Sequence, residues 1–159
     1  MKISSVLILL GCLFLLSCSK NIENDNTMPM LDSELKSSIL YEISKIDDGF
    51  KASYHDLFDM FLSAKNIETI RSDIYWMGTD EYFSFRNFVI GNGKPAYLLM
   101  LYEFDDYKNI LGVSYLLDIL NEEFSHIVAE VIETYKENPS MDELNMCNEI
   151  IENVFMELK

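Results

Sequence analysis

The segment GTDEYFSFRNFVIGNG, residues 78–93, decides the fold class of this chain. As a strand, its faces would be Tyr82, Ser84, Arg86, Phe88 and Ile90 against Phe83, Phe85, Asn87 and Val89, and neither is cleanly apolar. As a helix, Tyr82, Phe85, Phe88 and Val89 share one broad face, with Ser84, Arg86 and Asn87 mostly off it. Thr79 or Asp80 then supplies the N-cap and Glu81 suits the first turn. Gly91-Asn92-Gly93 offers left-handed positions for a stop, and Lys94-Pro95 restarts a helix with proline in its first turn. The helical reading predicts an all-α protein; its competitor is a hairpin turning at Asn92-Gly93.

The rest of the chain agrees with the helix. Leu31, Leu35, Ile39, Ile43, Ile46 and Phe50 recur every three or four residues, which predicts a helix over 33–47 capped by Asp32 and ended by Asp47-Asp48-Gly49. A second helix is expected over 50–64, with Tyr54, Leu57, Phe58, Phe61 and Leu62 on one side. Asn66 is a cap for a third, with Ile67, Ile70, Ile74 and Met77 in step and Gly78 as its stop. The nearly apolar run from Ala96 to Tyr102 predicts a central helix. Glu103 to Asp106 reads as an acidic break, and Gly112 interrupts the mixed stretch after it. Residues 120–137 read as one long helix that Asn138-Pro139 ends. Ser140-Met141-Asp142-Glu143 matches a capping box before a last helix carrying Leu144, Cys147, Ile151, Val154, Phe155 and Leu158. The expectation is a compact domain of about seven helices over 31–159.

The first thirty residues belong to a different kind of segment. Lys2 precedes an apolar run, Val6 to Leu16, which is shorter than the roughly 20 residues a membrane-spanning helix needs. That is the plan of a secretory signal peptide. Leu15-Leu16-Ser17-Cys18 resembles the lipobox of bacterial lipoproteins. The resemblance implies cleavage after Ser17, so that residues 1–17 are lost, and lipid attachment to Cys18. Stable anchoring takes two or three acyl chains. The bland alternative is an ordinary signal peptide that happens to end in cysteine. Residues 18–30 form a polar, Asn-rich tether with an end-to-end reach of about 20 Å. The implied location is the cell envelope, with Ser19 favouring the outer membrane in a Gram-negative cell.

Composition narrows the partners. All 27 acidic residues lie after residue 17, against 11 of the 12 basic ones, so the processed chain would carry a net charge of 11 − 27 = −16. Such a chain repels nucleic acid. With Cys12 removed and Cys18 lipidated, Cys147 is the one cysteine left, and the fold must be held by packing. Ten Phe, nine Tyr and one Trp supply that packing.

With the helix chosen, residues 78–93 resemble a bacterial family catalogued as domain-of-unknown-function family 4240. The matched positions are Asp80, Tyr82, the pair Phe85-Arg86, Phe88, Ile90 and Gly93, followed by Lys94 and Tyr97. A later piece, Glu123-Phe124 through Val128-Ala129 to Tyr135-Lys136-Glu137, also resembles the family. The likeness covers about residues 50–137. Where the family has Gly-Gly-Cys before its acidic pair, this chain has Tyr75-Trp76-Met77. The resemblance implies a helical fold and carries over no activity.

The chemistry on offer is sparse. Arg86, with Asp80, Tyr82 and Phe85, is the candidate binding group: either an anion-binding guanidinium beside aromatics, or half of an ion pair that fixes helix packing. Glu122, His126 and Glu130 are spaced for one helix face, yet a di-iron or zinc site needs further ligands. Tyr54-His55-Asp56 are adjacent and point in different directions on a helix. Cys147 lies in step with apolar residues and reads as a small hydrophobe. No nucleophile elbow, P-loop, dinucleotide fingerprint or zincin motif is present. No catalytic residue, metal site or cofactor is therefore assigned. Two functions are expected to compete. One is a membrane-tethered module that binds another envelope protein, with toxin neutralisation as an analogy. The other is an enzyme acting on envelope material at a pocket near Arg86. A purely structural envelope component is a third reading.

Overall fold

The computed structural model describes residues 31–68, 78–137 and 143–159. The predicted signal peptide and tether lie outside them, as do Ile70, Ile74, Met77, Asn138-Pro139 and the first three residues of the predicted capping box. Within them the protein is all-α, with no strand. Six helices follow in order: α1 Ser33–Ile43, α2 Asp48–Glu68, α3 Asp80–Asn92, α4 Lys94–Leu120, α5 Ser125–Glu137 and α6 Glu143–Leu158.

Local chemistry sets most of the ends. Asp32 caps α1, its Oδ1 accepting from Glu34 N at 2.7 Å. Asp47 Oδ1 accepts from Phe50 N at 3.0 Å and so opens α2. α1 stops at Ile43 rather than reaching residue 47, and the chain passes into i, i+3 turns, with Lys45 N donating to Glu42 O at 3.1 Å and Ile46 N to Ile43 O at 3.0 Å. Thr79 caps α3, its hydroxyl accepting from Tyr82 N at 3.2 Å. Gly93 ends α3 with φ 63° and starts α4, where Pro95 occupies the first turn.

Three further expectations about boundaries are corrected. Asn66 does not cap a third helix, because α2 runs through it to Glu68. A running helix already satisfies its own backbone, and an interior asparagine costs it only about 0.7 kcal/mol or less. Glu103 to Asp106 does not break α4, because Glu103 and Asp105 are buried with protein partners and leave the backbone helical. Residues 120–137 are not one helix, because 121–123 form a turn. Phe124 N still donates to Leu120 O at 2.8 Å, so the four-residue spacing of buried side chains survives the turn and imitates continuity.

Gly112 does interrupt α4, and it does more than kink it. Its φ 73° and ψ 168° lie in a region essentially confined to glycine. The arm that follows doubles back on the arm before it. Tyr115 stacks on Phe104 with ring centroids 6.3 Å apart, and Phe124 meets Tyr97 edge-on at 5.1 Å. In a straight helix those last two residues would be separated by roughly 40 Å at 1.5 Å per residue. The two arms of α4 are an antiparallel pair joined at one glycine.

α4 is the centre of the molecule. α1, α3, α5 and α6 all pack against it, while α2 packs chiefly on α3 and α6 on α5. Ala96 to Leu101 are at most 3 % exposed, as their apolar run predicts. On the α2–α3 side the core is aromatic. Phe61 stacks on Phe85 and on Tyr115, each at 5.7 Å, and Tyr54 meets Phe85 at 5.3 Å. On the α5–α6 side the core is mainly aliphatic: Ile127, Val128 and Val131 face Ile150, Ile151 and Val154, with Cys147 and Phe155 also buried. No helix among the described residues is long and apolar enough to cross a membrane.

Candidate functional site

Among the described residues, two clusters of polar side chains enter the interior on the aromatic side of α4. The first is built around Arg86. α3 carries Tyr82 and Arg86 four residues apart, so their tips reach the same patch of the second arm of α4. Tyr82 Oη donates to Asp118 Oδ2 at 2.5 Å, and Arg86 Nε donates to the same oxygen at 2.8 Å. Arg86 also donates through a terminal nitrogen to Glu122, in the turn after α4. The Arg86 side chain is 18 % exposed. Burial works against its charge, but the bonds to Glu122 and Asp118 outweigh that and raise its pKa. Burial, then the Asp118 bond, push the Tyr82 phenol far above its ordinary range, so it stays a neutral donor.

This arrangement clamps α3 to the second arm of α4. Two carboxylates already neutralise the guanidinium. Tyr82 and Phe85 are 1 % and 0 % exposed, and Asp80 stands in solvent at the start of α3. Of the four candidate binding residues, Tyr82 and Phe85 are buried, Arg86 is paired and Asp80 is exposed. Three other residues singled out from the sequence have packing or turning tasks. Phe88 packs on Phe50 at 5.4 Å, Gly93 turns the chain, and Tyr97 is buried.

The second cluster lies between α2 and the first arm of α4. Glu103 is 9 % exposed. Its Oε1 meets His55 Nδ1 at 2.9 Å, with the imidazole half in solvent. Its Oε2 and the Tyr54 hydroxyl are buried near one another, and neither has a hydrogen-bond partner of normal geometry among the described residues. Burial pushes the Glu103 carboxyl up to about 7, against the opposing pull of Tyr54 and with help from the negative charges of Asp59 and Asp106. The contact with His55 is an ion pair only when the imidazole carries a proton and the carboxyl does not. Two residues on, Asp105 accepts from Leu31 N at 3.0 Å and from Lys36 Nζ at 2.9 Å, tying the entry of the domain to its centre.

The other sequence candidates separate. His126 Nε2 pairs with Glu157 at 2.9 Å on the surface, and Glu122 turns to Arg86 instead. No group of three or more His, Cys, Asp or Glu among the described residues is placed to hold a metal. Cys147 is buried at 1 % exposure. A shallow depression of about 360 Å³ lies between α1 and the C-terminus, lined by Glu34, Ser37, Ser38, Tyr41, Glu42 and Lys159.

Asp118 was not singled out from the sequence, Glu122 was grouped with His126 rather than with Arg86, and Glu103 was read as part of a break. A signal existed for two of them: Asp118 interrupts Leu116-Leu117 and Ile119-Leu120, and Glu103 directly follows the apolar run that ends at Tyr102. A lone acid inside a buried run needs a partner. Compared with known proteins, the chain matches no family model, no curated protein and no solved structure.

Proposed function

We infer that this chain is an envelope lipoprotein, anchored through Cys18, whose helical domain is a protein-binding module. The observation that carries the reading is the excess of acid: 27 acidic against 11 basic residues after residue 17. The structure adds that Lys36, Lys45, Lys51, Arg86 and Lys136 are already bridged to carboxylates. Much of the positive charge is thus engaged within the molecule, and the surplus acids are available to a basic partner. The tether of residues 18–30 would hold the domain within about 20 Å of a membrane. In a Gram-negative cell Ser19 favours the outer membrane. A toxin neutralised by this acidic domain is one form such a partner could take. The relation to domain-of-unknown-function family 4240 belongs to the same proposal and rests on the motif residues.

The enzyme reading draws no support from Arg86, whose charge is balanced by Asp118 and Glu122. The test is an in-cell cross-linking pull-down of tagged wild type beside Cys18→Ala, read by mass spectrometry. A basic envelope protein recovered with the wild type, lost with Cys18→Ala and weakened by salt in vitro is the expected result. Recovery of no envelope protein by either form would overturn the binding reading.

A further inference from the structure

The Glu103 cluster has a geometry that packing alone does not require. It places a titratable side chain at the seam between α2 and the first arm of α4, with one oxygen toward solvent through His55 and the other toward Tyr54. We propose that Glu103, His55 and Tyr54 form a proton-operated latch between α2 and α4, closed when the carboxyl is protonated and loosened when it is ionised.

The charges around it set the direction. From α2, Tyr54, His55 and Asp59 face the carboxyl; from α4 itself come Asp106 and Tyr115. α1 contributes Lys36, which Asp105 and Asp106 hold. α3 contributes Tyr82 and Arg86, which are held at Asp118. The buried face that α6 turns inward is apolar at Met146, Ile150, Ile151 and Val154. His55 is the one basic side chain seen against Glu103 among the described side chains, and Asp59 and Asp106 oppose its ionisation. When protonated, the carboxyl can donate to the Tyr54 oxygen while Oε1 accepts from His55. When ionised, it keeps a charge in a site from which water is largely excluded.

The sign follows from linkage. The folded-state carboxyl is raised above its ordinary value of 4.5 to about 7. Its contribution is therefore fully present below pH 4.5 and is lost as pH rises through about 7. Because α2 reaches α4 through Tyr54, Phe58 and Phe61, loosening at Glu103 should first expose the α2 backbone. The α5–α6 pair lies across α4 and should not respond.

The test is hydrogen exchange by mass spectrometry on the full chain between pH 5 and 8.5, corrected for intrinsic exchange, beside a carbon-13 titration of the Glu103 carboxyl. Protection of α2 should fall about tenfold or more across this range, under a ceiling of roughly 300-fold set by the raised pKa. Glu103→Gln should hold α2 protection level with pH. If that variant does not fold, Tyr54→Phe serves as the second probe and should move the Glu103 titration by a measurable amount. A Glu103 carboxyl that titrates in the ordinary carboxylate range would overturn the latch. So would an undiminished pH response in Glu103→Gln, or a loss of protection spread equally over α5 and α6.

Discussion

The two sides of α4 are packed from different materials. Toward α2 and α3 the core is a stack of rings, with Tyr115 lying nearly parallel to Phe61, Phe85 and Phe104. Several of these rings carry hydroxyls, so the aromatic side brings polar atoms into the interior and must find them partners. Asp118 is that partner for Tyr82, while the Tyr54 hydroxyl lies buried beside Glu103 without a bond of normal geometry. Toward α5 and α6 the core is Ile, Val, Met and Cys with few rings, and its polar contacts, such as His126 with Glu157, stay in solvent. The difference is one of specification. Flat rings with fixed hydroxyls fit in one arrangement, whereas aliphatic side chains adapt to small changes. The aromatic side thus carries both the ion-pair clamp and the titratable group, and the aliphatic side serves as its inert support.

That contrast is easiest to break at its centre. Phe61→Ala removes a ring that stacks on two others and should cost about 3–5 kcal/mol in chemical denaturation. A loss below 1 kcal/mol would mean the stack is not the main source of stability on that side. Arg86→Ala should cost about 2–3 kcal/mol, since it strands Asp118 beside the Tyr82 hydroxyl in a half-buried site. Arg86→Lys should recover only part of this, because an ammonium cannot place two donors in a fixed fork. Equal stability of Arg86→Lys and wild type would remove the argument from fork geometry.

Gly112→Ala should cost about 1–3 kcal/mol, purely through backbone strain. A Cβ at this position would meet no atom within 4 Å, so a normal melting temperature would show that the hairpin of α4 does not need the positive φ. Glu103→Gln sharpens the comparison through pH. It should stabilise the protein at pH 8 by on the order of 1–2 kcal/mol and have little effect near pH 4.5, because the neutral amide avoids the cost of the ionised acid. The reverse sign would show that the carboxylate is favoured in place. The smallest effect belongs to the aliphatic side, where Ile150→Val should cost about 0.5–1.5 kcal/mol. A larger loss there than for Gly112→Ala would erase the distinction between the two sides.

What could be read in advance follows the same division. The caps at Asp32 and Thr79 and the stop at Gly93 were legible because each depends on atoms within about four residues. The helical choice for residues 78–93 was legible because only that period gathers Tyr82, Phe85 and Val89 on one face, and all three are buried. The acidic stretch at Glu103 was misread because an acid beside an apolar run looks like a boundary until its partner is known. The continuous helix over 120–137 was misread because one backbone bond at Leu120 preserves the spacing across a turn.

By itself the amino-acid sequence determined that this domain would be helical, where several of its helices would begin and end, and that aromatic packing would help hold it. Those are matters of backbone hydrogen bonding and side-chain period, settled over one or two turns. Only the tertiary structure decided that α4 doubles back at Gly112, that Arg86 is claimed by Asp118 and Glu122, and that Glu103 is taken out of water beside Tyr54. Each of those pairs residues at least 32 positions apart or depends on which way a chain turns after a glycine. Desolvation and charge pairing acquire their magnitudes only when such distant groups are brought together.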